Sequence, residues 1–120
     1  MPFNNKFWDE LVVQSYKTIL KRKIESSLIH TNLALAYVRM GKDKKAVRSF
    51  QRAIKCNKKY ADAYYHLGMT YKRMGKIEEA LRCLNNYNKF AVKNKNKEPF
   101  IDEVLSQLHI ENRDKEEVDK

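Results

Sequence analysis

At 120 residues, 42% of them hydrophobic and with only three Gly and two Pro, the chain has enough material for one domain with a modest core. It is too poor in turn formers and too rich in apolar residues for a disordered or fibrous protein. The formal charge of +10 is unevenly spread, with 22 Lys/Arg against 7 Asp/Glu in residues 1–97 and 3 against 8 in residues 98–120, which suggests an acidic partner or a tail that covers the basic surface of its own or a neighbouring copy.

No apolar run reaches the roughly 20 residues that span a bilayer. The N-terminal stretch holds Asp9 and Glu10 and lacks a small-residue cleavage site, so no secretory leader is read there and a cytoplasmic location is expected. Cys56 and Cys83 form neither a metal-ligand spacing nor a disulfide framework, and both are expected to be reduced, small hydrophobes on helices.

The first predicted helix covers about 7–24, with Phe7, Trp8, Leu11, Val12, Tyr16, Ile19, Leu20 and Ile24 at helical spacing. Asn4 or Asn5 can cap it, and Lys21, Arg22 and Lys23 suit its C-terminal dipole end. Ser26 or Ser27 can cap a second helix, about 27–40, which ends at Gly41. A third, about 43–56, carries Ala46, Val47, Phe50, Ala53 and Ile54, and Asn57-Lys58-Lys59 breaks it. A fourth, about 61–74, ends at Gly75, and a fifth runs over about 77–93. After the polar connector Lys93–Lys97, Pro99 fits the first turn of a sixth helix over about 99–110. The tail ENRDKEEVDK, almost without apolar residues, is expected to be frayed or disordered. No alternating strand pattern occurs, so the fold class is all-α.

Helices two and three return as helices four and five. LALAYVRMGKDKKAVR at 33–48 reappears 34 residues later as LGMTYKRMGKIEEALR, so Leu33, Tyr37, Arg39, Met40, Gly41, Lys42, Ala46 and Arg48 recur as Leu67, Tyr71, Arg73, Met74, Gly75, Lys76, Ala80 and Arg82. A fixed period of this size marks stacked helix pairs, each unable to bury its apolar face alone. Small residues at Ala34/Gly68 and Ala46/Ala80 let the paired helices approach, and Tyr37/Tyr71 with Phe50/Leu84 fill the space around them.

This pattern closely resembles the tetratricopeptide (TPR) repeat. Tyr64, Leu67, Gly68, Tyr71, Gly75, Ala80 and Leu84 answer its motif in residues 61–94, and His30, Leu33, Ala34, Tyr37, Gly41, Ala46, Phe50 and Ala53 answer it in 27–60. The resemblance implies a TPR-like α-α superhelix of two full repeats, with residues 1–26 as an amphipathic helix and 95–120 as linker, capping helix and acidic tail. The chain departs from the family where Lys58 and Val92 replace the terminal Pro and Tyr87 replaces the second Ala. Tyr87 is expected to push the following helix away or to end regular stacking. Two repeats are fewer than the three or so that usually make a stable stack, so the flanking helices must cap it or a second copy must complete it. Helix one reads as the second half of an earlier repeat, with Val12, Tyr16 and Ile19 in the packing places, and as a route to a homodimer.

By resemblance, the first helix of each pair lines a concave groove. Thr31, Leu35, Val38 and Arg39 would face it from one repeat and Tyr65, His66, Met69, Lys72 and Arg73 from the next. Apolar residues beside two arginines suit an extended or helical acidic protein segment, unless the chain's own terminal helix fills the groove. The Lys/Asn clamp by which some TPR co-chaperones hold a C-terminal carboxylate is absent, since Thr31, Leu35, Asp62 and His66 stand in its places. Glu116-Glu117-Val118-Asp119 looks like the peptide such clamps bind, but Lys120 follows, so the likeness is read as coincidence.

A basic outer strip, Lys44, Lys45, Arg48, Arg52, Lys55, Arg82 and Lys89, could track phosphates, but no nucleic-acid-binding signature accompanies it. His30, His66 and His109 lack a paired carboxylate or nucleophile at useful spacing, and no phosphate loop or metal-ligand cluster occurs. The expectation is therefore a non-catalytic adaptor, scaffold or assembly factor without cofactor or metal, with a basic nucleic-acid-associated regulator as the alternative.

Overall fold

A computed structural model describes residues 6–22, 26–91, 98 and 100–118. They form six helices: α1 (Lys6–Lys21), α2 (Ser27–Arg39), α3 (Asp43–Cys56), α4 (Ala61–Arg73), α5 (Ile77–Ala91) and α6 (Ile101–Val118). Each helix packs on the next in chain order, and α2 also touches α4. The radius of gyration is 15.5 Å, above the about 13.6 Å of a compact domain this long. The stack is elongated, as repeat-on-repeat packing requires.

The local signals act as the sequence suggests. Ser26 caps α2, its Oγ accepting from the Ile29 N–H at 3.0 Å. At the far end Gly41 takes φ +74°, letting the Lys42 N–H reach the Tyr37 carbonyl at 2.8 Å and its own N–H reach that of Val38 at 3.0 Å. The same closure recurs 34 residues later, with Gly75 at φ +80°, Lys76 bonded to Tyr71 and Gly75 to Lys72. The identical turns give each pair the same hairpin, and in the first pair the Ser27 Oγ closes the open end by donating to the Ala53 carbonyl at 2.8 Å, where the second pair has Ala61.

Two core clusters meet at α4. One holds Val13, Leu33, Ala34, Tyr37, Ala46, Phe50 and Leu67, with Val12, Tyr16 and Leu20 of α1 packed on it. The other holds Ala80, Leu84, Tyr87, Ala91, Ile101, Leu105 and Leu108. The pairs differ at their closest point. A Cβ on Gly68 would lie 2.8 Å from Leu84 Cγ and Cδ2, whereas Ala34 fits its place opposite α3, fully buried. Phe50 there reaches on to His66 of α4, the rings stacked at 6.2 Å.

Several expectations are corrected. The tail is helical to Val118, because Glu, Lys and Arg are strong helix formers and Glu111/Lys115 and Arg113/Glu117 sit four residues apart. Tyr87 does not push the next helix away. It is 2% exposed, accepts from the Glu98 N–H at 2.6 Å and belongs to the seam where α6 packs on α5. Cys56 is exposed, being the last residue of α3. The caps assigned to Asn4 or Asn5, the residues Lys23, Ile24, Val92 and Pro99, and the connector 93–97 lie outside the described residues.

Candidate binding groove

Along one side of the stack, α2 and α4 present a cavity of about 530 Å³ lined by Leu35 and Val38 of α2, by His66, Met69, Thr70, Lys72 and Arg73 of α4, and by Glu111 of α6. Six of the nine residues assigned to the groove from sequence line this space. Of the remaining three, Thr31 is buried at 3% exposure and does not line the cavity. Tyr65 is packed under aromatic neighbours, with Tyr87 at 5.2 Å and Phe100 at 6.2 Å between ring centroids, so the start of α6 covers that part of the groove. Arg39 faces α1. Glu111 joins the lining because the tail, expected to be frayed or disordered, is helical there.

The paired arginines have partners within the chain. Arg39 Nε donates to Asp9 of α1 at 2.7 Å, and Arg73 makes the corresponding ion pair with Asp43 of α3. Asp9 and Asp43 are 34 residues apart, as are Arg39 and Arg73. The carboxylate spacing is the signal that could have revealed the pairing. Both arginine side chains stay about half exposed, 53% and 50%. Each pair joins the end of a groove helix to the helix before it, and Arg73 reaches the cavity from that tether.

His66 lies in the cavity wall between Phe50 and Tyr65. Burial holds its imidazole below the usual histidine range, against a weaker opposite pull from Asp62 and Glu98. The neutral ring is therefore favoured, and it stacks as an aromatic. His30, 1% exposed, is a core residue. Burial pushes the Cys83 thiol up to about 11, so it is protonated near neutral pH. Among the described residues no group of His, Cys, Asp and Glu could hold a metal ion, and no helix is long and apolar enough to cross a membrane.

Of the outer strip, Lys45, Arg48 and Arg52 join α1 at a second cleft of about 480 Å³. Lys44 and Lys55 are exposed elsewhere on α3, while Arg82 and Lys89 lie on α5, with the Lys89 ammonium 5.6 Å above the Phe90 ring.

Comparison with known proteins agrees with this geometry. The family model described as "TPR repeat" matches residues 34–75, and that described as "Tetratricopeptide repeat" matches 62–90. No curated protein sequence gives a significant match. Among solved structures, MamA is 29% identical over 66% of this chain and 43% of its own, with a TM-score of 0.63, so the chain spans less than half of that protein. The first TPR of Spaghetti (RPAP3), bound to the HSP90 peptide SRMEEVD, superimposes with a TM-score of 0.77 over 92% of this chain and 87% of that one, at 19% identity. The Sgt2 TPR domain from Aspergillus fumigatus gives 0.74 over 88% and 68%, at 17% identity. The turns, the close helix pairs and both family matches lead to one assignment: residues 34–90 carry tetratricopeptide repeats in a TPR-like all-α stack.

Proposed function

We propose that the chain is an adaptor or assembly factor that holds an acidic, partly apolar segment of a protein partner in the groove between α2, α4 and α6. One observation carries this reading: Leu35, Val38 and Met69 line the same cavity as Lys72 and Arg73. Apolar side chains supply contact area. Lys72 and the half-exposed Arg73, which keeps its Asp43 partner, outnumber the one carboxylate of the lining, Glu111, and so favour an acidic segment. The peptide held by the RPAP3 domain has the same mixed character, with Met and Val beside three acids. Here His66 stands in a place where that mode of binding would ask for a clamp residue, so an internal acidic segment suits this groove better than a free C-terminus.

A photo-crosslinking residue at Met69, used in the native cell, tests the proposal. A partner should be captured through an acidic segment, and capture should fall steeply when Lys72 and Arg73 are both changed to Glu. Undiminished capture by that variant would place the partner elsewhere.

A further inference from the structure

On the other side of α2 lies a surface that the groove reading leaves unused. Lys17 and Lys21 of α1 form one rim of the 480 Å³ cleft, and Lys45, Arg48 and Arg52 of α3 form the other. Each rim follows one helical stripe, i, i+4 on α1 and i, i+3, i+7 on α3. The floor between them is Leu20, Leu33 and Tyr37. Both ion pairs found among the described residues lie elsewhere, at Arg39 and Arg73. Five cations therefore face one another across a largely apolar floor, and among the described residues no carboxylate lines the cleft. Glu10, beside Lys17 and Lys45 in the adjoining cleft, is the nearest counter-charge, so an acidic ligand would relieve the remaining self-repulsion.

The opposite character appears at the end of α6. This helix is 18 residues long, against 13 each for α2 and α4, and its last buried residue is Leu108. Residues 113–118 are all exposed. At about 100° per residue, Ile110, Asp114, Glu117 and Val118 fall on one face, spanning an arc of roughly 100°. Ile110 is 44% and Val118 84% exposed. That face offers two apolar side chains and two carboxylates to a cleft that offers an apolar floor and cationic rims. It cannot reach the cleft of its own chain. α6 is fixed on α5, and its Glu111 lines the cavity on the groove side of α2.

We propose that the α1/α3 cleft receives the acidic end of α6 from a second copy of this chain. The contact is head-to-tail, because the two surfaces are different patches, so it propagates into short chains or a ring rather than closing as a two-fold dimer. Both grooves remain open in such an assembly, and several partner segments can be held side by side. The apolar floor favours a protein helix over nucleic acid, whose phosphates would use the rims alone.

Sedimentation velocity over a concentration series, at about 50 mM and about 500 mM salt, tests this. The wild type should sediment above monomer mass at low salt and as monomer at high salt. Arg48→Glu with Arg52→Glu, or Asp114→Lys with Glu117→Lys, should each give monomer, and the four changes together should restore assembly. A synthetic peptide of residues 109–120 provides a second measurement that needs no folded tail variant. Its binding should weaken roughly tenfold or more with the Arg48→Glu/Arg52→Glu chain and stay unchanged with Lys72→Glu/Arg73→Glu. A wild type monomeric throughout, failure of the four changes to restore assembly, sensitivity to the groove pair instead, or tighter binding of random-sequence DNA than of the peptide at physiological salt would each overturn the proposal.

Discussion

At the C-terminal end of the stack, α6 lays Ile101, Leu105 and Leu108 against α5 and turns the polar face Asp102, Ser106, His109 and Arg113 to solvent. At the N-terminal end, α1 fully buries only Val13 and leaves Phe7 65%, Trp8 58% and Leu11 47% exposed. A solenoid must end somewhere, and a polar outer face is how a terminal helix keeps its last surface in water. α6 meets that condition. α1 repeats the ion pair and the inward packing of α3, and among the described residues no helix lies on its other side. The difference teaches that, among the described residues, α6 turns a polar face outward while α1 leaves large apolar side chains uncovered.

The largest test of that contrast is truncation of one buried or exposed apolar residue at each end. Ile101→Ala should cost about 2–5 kcal/mol, since the side chain is completely enclosed and leaves a cavity. Trp8→Ala should cost within about 0.5 kcal/mol. Chemical denaturation measures both, and equal losses would show that the N-terminal end is as closed as the other. Trp8 is the single tryptophan, so its emission also reports directly whether anything covers α1.

Next in size is the close helix contact. Gly68→Ala should destabilise by about 1–3 kcal/mol, because the new methyl meets Leu84. The reverse change in the other pair, Ala34→Gly, should cost about 1 kcal/mol through helix propensity and lost contact. Removing the junction ion pairs should have smaller effects. A double-mutant cycle on Asp9 and Arg39 should return about 0.2–1 kcal/mol, as for other half-exposed pairs, and the Asp43–Arg73 cycle should return a similar value.

Two further readouts involve little energy. Iodoacetamide at mildly alkaline pH should label Cys56 and leave Cys83 intact until the chain is unfolded, since Cys83 is both buried and held protonated. The folded pKa of His66 lies below its ordinary 6.5. The unfolded chain therefore takes up the proton first. Stability should be full above that value and decline as pH falls from 6.5 toward the folded pKa, and His66→Gln should flatten the slope in a melting series.

The stack itself was legible because helical periodicity, two positive-φ glycines and a 34-residue echo act at short range and agree with one another. Ser26 and Gly41 set boundaries through bonds within one turn, which is why α2 and α3 begin and end within a residue of the sequence reading. Contacts across helices were legible only where both partners repeat. The partners of Arg39 and Arg73 lie 30 residues away on another helix, a distance that local pattern does not encode, although the equal spacing of Asp9 and Asp43 does. The end of α6 is not legible in apolar content, which residues 111–118 lack, and its helix rests instead on the intrinsic propensity of Glu, Lys and Arg. The loss of Tyr65 has a different cause: Phe100 and Tyr87 cover it from the seam of α5 with the start of α6, a contact between helices that local pattern does not encode.

The paired turns at Gly41 and Gly75 and the paired Asp–Arg junctions make one 34-residue block self-sufficient at both of its borders. A block whose seams match its own can be copied in tandem without redesigning either neighbour. Inserting a second copy of residues 27–60 between Tyr60 and Ala61 should lengthen the rod and its groove by one unit. A gene of this kind can change the reach of its product by duplication alone.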